Sequence, residues 1–119
     1  MLRRESSILK KDWLSRYSLE GEPIRGGIIH LESAWQEALA RIEKDDKLPY
    51  LVKTMLGELT AAAILLRSQI KLEGELSLQL NGGGALRFAV VEVGVEYNFR
   101  VALGLDRSLL TQSVALEDL

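Results

Sequence analysis

The sequence predicts an α+β fold in the order ββ-αα-βββ, a mostly antiparallel sheet packed on a central apolar helix. Three observations predict it. Apolar residues from Val52 to Ile70 keep helical spacing for five turns. Ahead of them, two strand-like stretches flank a Gly/Pro turn. Behind them, "ELSLQLNGGGALRFAVVEV" alternates apolar and polar residues on either side of three glycines.

The elements follow in order. Residues 1–12 are polar and charged, as a frayed or adapted terminus would be. "LSRYSLE", "GEP" and "IRGGIIHL" read as two strands joined by a turn. Gly21 and Pro23 supply the turn chemistry, and Ile24, Ile28 and Ile29 favour an extended chain. Gly26 and Gly27 lie inside the second strand, where glycine marks a bulge or a close backbone approach. A helix then opens with Ser33 as expected N-cap and Gln36 as its capping-box partner. Trp35, Ala38, Leu39 and Ile42 form its apolar stripe, and "EKDDK" ends it. Pro49 suits the first turn of the next helix. Val52, Met55, Leu56, Leu59, Ala63, Leu66 and Ile70 mark that helix. Between Leu59 and Leu66 its other face is apolar too, so burial on more than one side is expected.

The glycines at 82–84 raise the possibility of a phosphate-binding loop. Such a loop opens a helix and carries a lysine and a hydroxyl just beyond. Here the glycines lead into Leu86, Phe88 and Val90, which alternate with Arg87, Ala89 and Val91. The segment is therefore expected to be a hairpin, with glycine supplying positive φ angles. "YNFRVAL" makes a third strand after a turn near Gly94, and "SLLTQSVALEDL" could begin a further helix.

At 119 residues the chain is expected to be a single domain with a core that needs no covalent staple. A net charge of -2 offers no basic field for nucleic acid, so none is expected as a partner. The absence of cysteine excludes disulfides and thiolate metal sites within these residues and fits a reducing compartment. No stretch has signal-peptide character, and none reaches the roughly 20 apolar residues of a membrane span. The expectation is a cytoplasmic protein with no membrane partner. His30 is the single histidine, Glu58 interrupts an apolar helix, and Asp45 and Asp46 punctuate a helix end. Trp13 and Trp35 are too scattered to stack bases. No catalytic, cofactor-binding or metal-ligating constellation emerges, and the chain is not expected to be an enzyme.

One asymmetry bears on function. Both faces of the strand Leu86–Val93 are largely apolar. If Leu86, Phe88 and Val90 face the helices, Ala89, Val91 and Val93 face outward. Those three residues form the expected client-binding face, because an uncovered apolar strip should meet a partner.

The block "LVKTMLGELTAAAILLRSQIKLEGELSLQLNGGGALRFAVVEV" resembles the N-terminal domain of the redox-regulated heat-shock holdase chaperones, the 33 kDa chaperonin family. "LGELTAAAILL" running into "KLEGELSLQLNGGGAL" carries the likeness, and "RYSLEGEPIRGGIIHL" extends it upstream, so that it covers roughly Trp13 to Leu103. Two features depart from the family. Gly82, Gly83, Gly84 and Ala85 stand where its hairpin has Gly-Asp-Gly-Pro, and these 119 residues hold no counterpart of its linker and C-terminal zinc domain, so a truncated N-terminal, client-binding domain is the expectation. The resemblance implies an ATP-independent holdase for proteins unfolding under oxidative or heat stress. It also implies that the redox switch and its zinc belong to the absent C-terminal domain, with no cofactor in this chain. Unfolded client proteins, and a second copy in a homodimer, are the implied partners. The rival readings are a plain protein-protein interaction module and a small enzyme whose site lies elsewhere.

Overall fold

The computed structural model describes residues 2–9, as a backbone path, and residues 12–109. Its elements are β1 (Leu2–Leu9), β2 (Asp12–Leu19), β3 (Arg25–His30), α1 (Ser33–Ile42), α2 (Tyr50–Gln69), β4 (Leu76–Asn81), β5 (Leu86–Val93) and β6 (Phe99–Leu105). A single 3-10 turn follows at Arg107–Leu109. The order ββ-αα-βββ holds from residue 12 onward. β1 adds a strand where a frayed terminus was expected. It pairs with the whole of β2, from Leu2↔Leu19 to Leu9↔Asp12. The free edge of β2 offers a row of backbone groups for such pairing, and composition alone does not reveal that. Of the helix expected in "SLLTQSVALEDL", residues 110–119 lie outside the described residues.

The strands form two three-stranded antiparallel sheets, β1-β2-β3 and β4-β5-β6. α2 packs on both, which is why its middle is apolar on more than one side. Towards its start, Val52 and Leu56 form one buried cluster with Leu48, Leu86 and Ala89, and Trp35, Leu39 and Ile42 of α1 pack against it. Towards its end, Ala63 and Ile64 form a second with Val91 and Val93. Leu59 and Val101 touch both clusters and join them. The helix is not buried all round. Glu58 and Ala62 are exposed, and Leu66 and Ile70, expected in its buried stripe, are 43% and 45% exposed. These four positions recur at every fourth residue, so they share one solvent-facing edge.

Two glycines of β3 let neighbours approach closely. The Tyr17 ring lies over Gly26, and Leu65 and Gln69 of α2 sit against Gly27. Gln69 Nε2 donates to the Gly26 carbonyl at 3.2 Å. The register of β2 with β3 is unbroken, so the glycines serve close approach and not a bulge.

α1 begins differently from the expected capping box. Its N-cap is Glu32, and no local side chain caps it. Instead the carboxylate of Asp12, on β2, accepts the N–H groups of Glu32 at 2.6 Å and Ala34 at 3.0 Å. Acceptors for orphan helical N–H groups can come from anywhere in the fold, and here the sheet supplies one. Between the helices Glu43 accepts the Leu48 N–H at 2.7 Å and pairs with Lys53 at 3.1 Å. Pro49 then stands as the N-cap of α2, one residue outside the position expected for it.

Candidate functional site

The second sheet holds the segment singled out from the sequence. The glycines at 82–84 do join two strands of a hairpin, closed by the Gly82 N–H bonding to the Arg87 carbonyl at 3.1 Å. None of the three has positive φ. Gly21 is the one described glycine that does. Leu76, Leu78 and Leu80 pair with Val93, Val91 and Ala89, and across β5 these face Phe99, Val101 and Leu103. That is the core face.

Ala89, Val91 and Val93 are therefore fully buried against α2, and the outward strip expected of them is a correction. The cause is a break in register between Leu86 and Phe88, opposite Leu105 and Gly104. A bulge spends one extra residue, so strict alternation changes phase across it. Leu86 points inward as expected, but after the bulge the inward residues are Ala89, Val91 and Val93. Phe88 and Val90 point the other way.

The solvent side of the sheet is the candidate site. Phe88 is 39% exposed, Val90 is half-buried, and Ala102 pairs with Val90 across the strands. The Phe88 ring lies over Gly104, so closely that a Cβ there would strike it. An aromatic ring covering a cross-strand glycine is a recognised way of packing a sheet surface. Ser77, Gln79 and Asn81 of β4 flank this apolar centre. Ion pairs rim it: Arg100 to Glu92 at 2.6 Å at one end and Arg87 to Asp106 at 3.2 Å at the other. Hydrogen bonds from the Ser108 hydroxyl and amide, with the Arg87 guanidinium beside them, hold the Asp106 carboxyl below its ordinary pKa. The arrangement is a small apolar patch inside a charged border.

The other residues noted in the sequence do not converge. His30 is exposed and stacks on Trp13, with ring centroids 5.8 Å apart. Trp35 lies elsewhere, against Gly57 of α2. Glu58 is at a solvated edge, and Asp46 pairs with Arg107 at 2.9 Å. Among the described residues no three His, Cys, Asp or Glu side chains stand close enough to hold a metal ion. A zinc site of the thiolate kind finds no ligand in this chain, which has no cysteine. No helix among the described residues is long and apolar enough to cross a membrane.

The family profile described as Hsp33 protein matches residues 12–118. The chain belongs to the Hsp33 family. Curated relatives agree. The 33 kDa chaperonin of Chromobacterium violaceum is 40% identical over 98 residues, 82% of this chain and 32% of the relative. That of Pseudoalteromonas translucida is 35% identical over 92 residues, covering 77% and 31%. That of Pseudomonas savastanoi pv. phaseolicola is 34% identical over 108 residues, covering 91% and 35%. The Hsp33 chain described here thus spans about a third of the length of the relatives it matches. Exposed Phe88 and half-buried Val90 were missed as site residues because a bulge has no clear sequence signal. Arg87 between Leu86 and Phe88 was the available hint, a charged residue beside the glycine-rich turn.

Proposed function

We propose that this Hsp33 chain is the client-binding part of a cytoplasmic, ATP-independent holdase that keeps proteins unfolding under oxidative or heat stress from aggregating. The observation that carries the reading is the patch of Phe88, Val90 and Ala102, open to solvent within its border of ion pairs. Exposed segments of an unfolding protein are apolar, and covering both surfaces releases roughly 25 cal/mol per Å² of apolar area removed from water. The charged border keeps the patch soluble when no client is present. Such binding needs neither nucleotide nor bond-making. The names of the curated relatives, 33 kDa chaperonins, support the chaperone assignment. Redox control through zinc-bound thiols would act from the part of the relatives that this chain does not span. The same patch would pair two copies of the chain when no client is present, so self-association should rise with concentration.

The test is suppression of aggregation. Two structurally unrelated proteins are heated with the chain while light scattering is followed, with no ATP present. Protection of both at near-equimolar ratio is the expected result. Protection of neither would leave a plain interaction module, for which one folded partner and no unfolded one is bound.

A further inference from the structure

A second surface lies away from the patch. A cavity of about 130 Å³ opens between the first sheet, the start of α1 and the β5–β6 turn. Its most buried walls are Leu14 and Ile64, and Ile29, Leu31 and Phe99 complete an apolar interior. The charged groups lining it are the carboxylates of Asp12 and Glu96, and no lysine, arginine or histidine lines it among the described residues. Asp12 is anchored by the two α1 N–H groups it accepts. Glu96 is exposed at the tip of the turn.

The turn between β5 and β6 is a short hairpin loop with a left-handed residue. Tyr97, another lining residue, has φ of 65°, a left-handed conformation that suits glycine or asparagine. Gly94 and Tyr97 close the turn, with the Tyr97 N–H on the Gly94 carbonyl at 3.0 Å and the Gly94 N–H on the Asn98 carbonyl at 2.8 Å. A tyrosine tolerates this position because its ring packs against the core cluster of Ala63, Ile64, Val91 and Val93 and walls the cavity.

We propose that this cavity seats one aliphatic or phenyl side chain of an extended client segment that carries lysine or arginine beside it. The size fits: an engineered apolar cavity of about 150 Å³ takes up benzene, so an isobutyl or phenyl group is accommodated. The charge fits too, because the charged side chains lining the cavity among the described residues, Asp12 and Glu96, are both carboxylates, which attract a flanking cation and repel an acidic flank. The proposal rests on the chaperone reading and names the client chemistry that this chain selects.

The test uses three fluorescein-labelled decapeptides, differing only at their centre: Lys-Leu-Lys, Lys-Ala-Lys and Glu-Leu-Glu. Fluorescence anisotropy gives affinity, and amide chemical shifts locate the contact. The Lys-Leu-Lys peptide should bind roughly tenfold more tightly than either other peptide. Its shifts should fall on Leu31, Ile64, Glu96 and Tyr97. Glu96→Lys, on an exposed turn, should keep the fold and weaken Lys-Leu-Lys binding by roughly fivefold. Tyr97→Gly should relax the turn, remove one wall and weaken binding of the leucine peptides. Equal affinity for all three peptides, or shifts confined to Phe88, Val90 and Ala102, would overturn the proposal. Aggregation of heated clients is followed in parallel. Suppression without the peptide preference removes the cavity and leaves the chaperone reading. Peptide preference without suppression supports the cavity as a peptide site and removes the chaperone reading.

Discussion

The carboxylate of Asp12 accepts two N–H groups from the start of α1 and so ties the first sheet to that helix. Asp12→Ala should cost about 1 kcal/mol of stability, the usual worth of an N-cap, read from a urea midpoint at unchanged slope. Ser33→Ala should cost little, since no Ser33 side-chain bond caps the helix. Ser33 was the legible cap because it is local. Asp12 was not, because 20 residues separate it from the N–H it binds. Glu43 shows a pH effect of the same scale. The Leu48 N–H, then the Lys53 ammonium, hold its carboxyl below its ordinary value of 4.5. Its folded pKa is depressed, so its contribution is present above the ordinary value and is lost as pH falls through the folded one. Wild type should therefore lose stability below about pH 4.5, and Glu43→Gln should flatten that acid limb. A steeper acid limb in the variant would refute this.

The helices and the hairpin were legible because their periods of 3.6 and two are written in long runs of residues. Trp35, Leu39 and Ile42 meet the core as their spacing requires. β5 was legible as a strand but not in phase, because the bulge after Leu86 exchanges its faces. The two faces make a paired prediction from adjacent residues. Val91→Lys places an ammonium in the fully buried cluster around Ala63 and Ile64 and should abolish the cooperative thermal transition. Val90→Lys places it on the solvent side between Gln79 and Ala102 and should leave the midpoint within a few degrees of wild type. Circular dichroism melts of the two variants check both. A folded Val91→Lys beside an unfolded Val90→Lys would reverse the sheet.

At the scale of the molecule, α2 packs on both sheets, which are not hydrogen-bonded to each other, and Leu59 touches both of the buried clusters that this helix shares with β5. Leu59→Asp should therefore unfold the chain as one unit, with the fluorescence of Trp13 and Trp35 and the far-ultraviolet dichroism lost together. Two separate transitions would show that the sheets are held independently. The division of the strands into two sheets was not legible, since strand partners depend on where the helices stand and not on local period. On the proposed reading, this Hsp33 chain holds unfolding proteins on the outer face of its second sheet. Light scattering of two unrelated heat-denatured clients, with wild type and with folded Val90→Lys, tests it most directly. Wild type should suppress scattering from both clients, and Val90→Lys should suppress neither. Equal suppression by the two proteins would place the client surface elsewhere and contradict it.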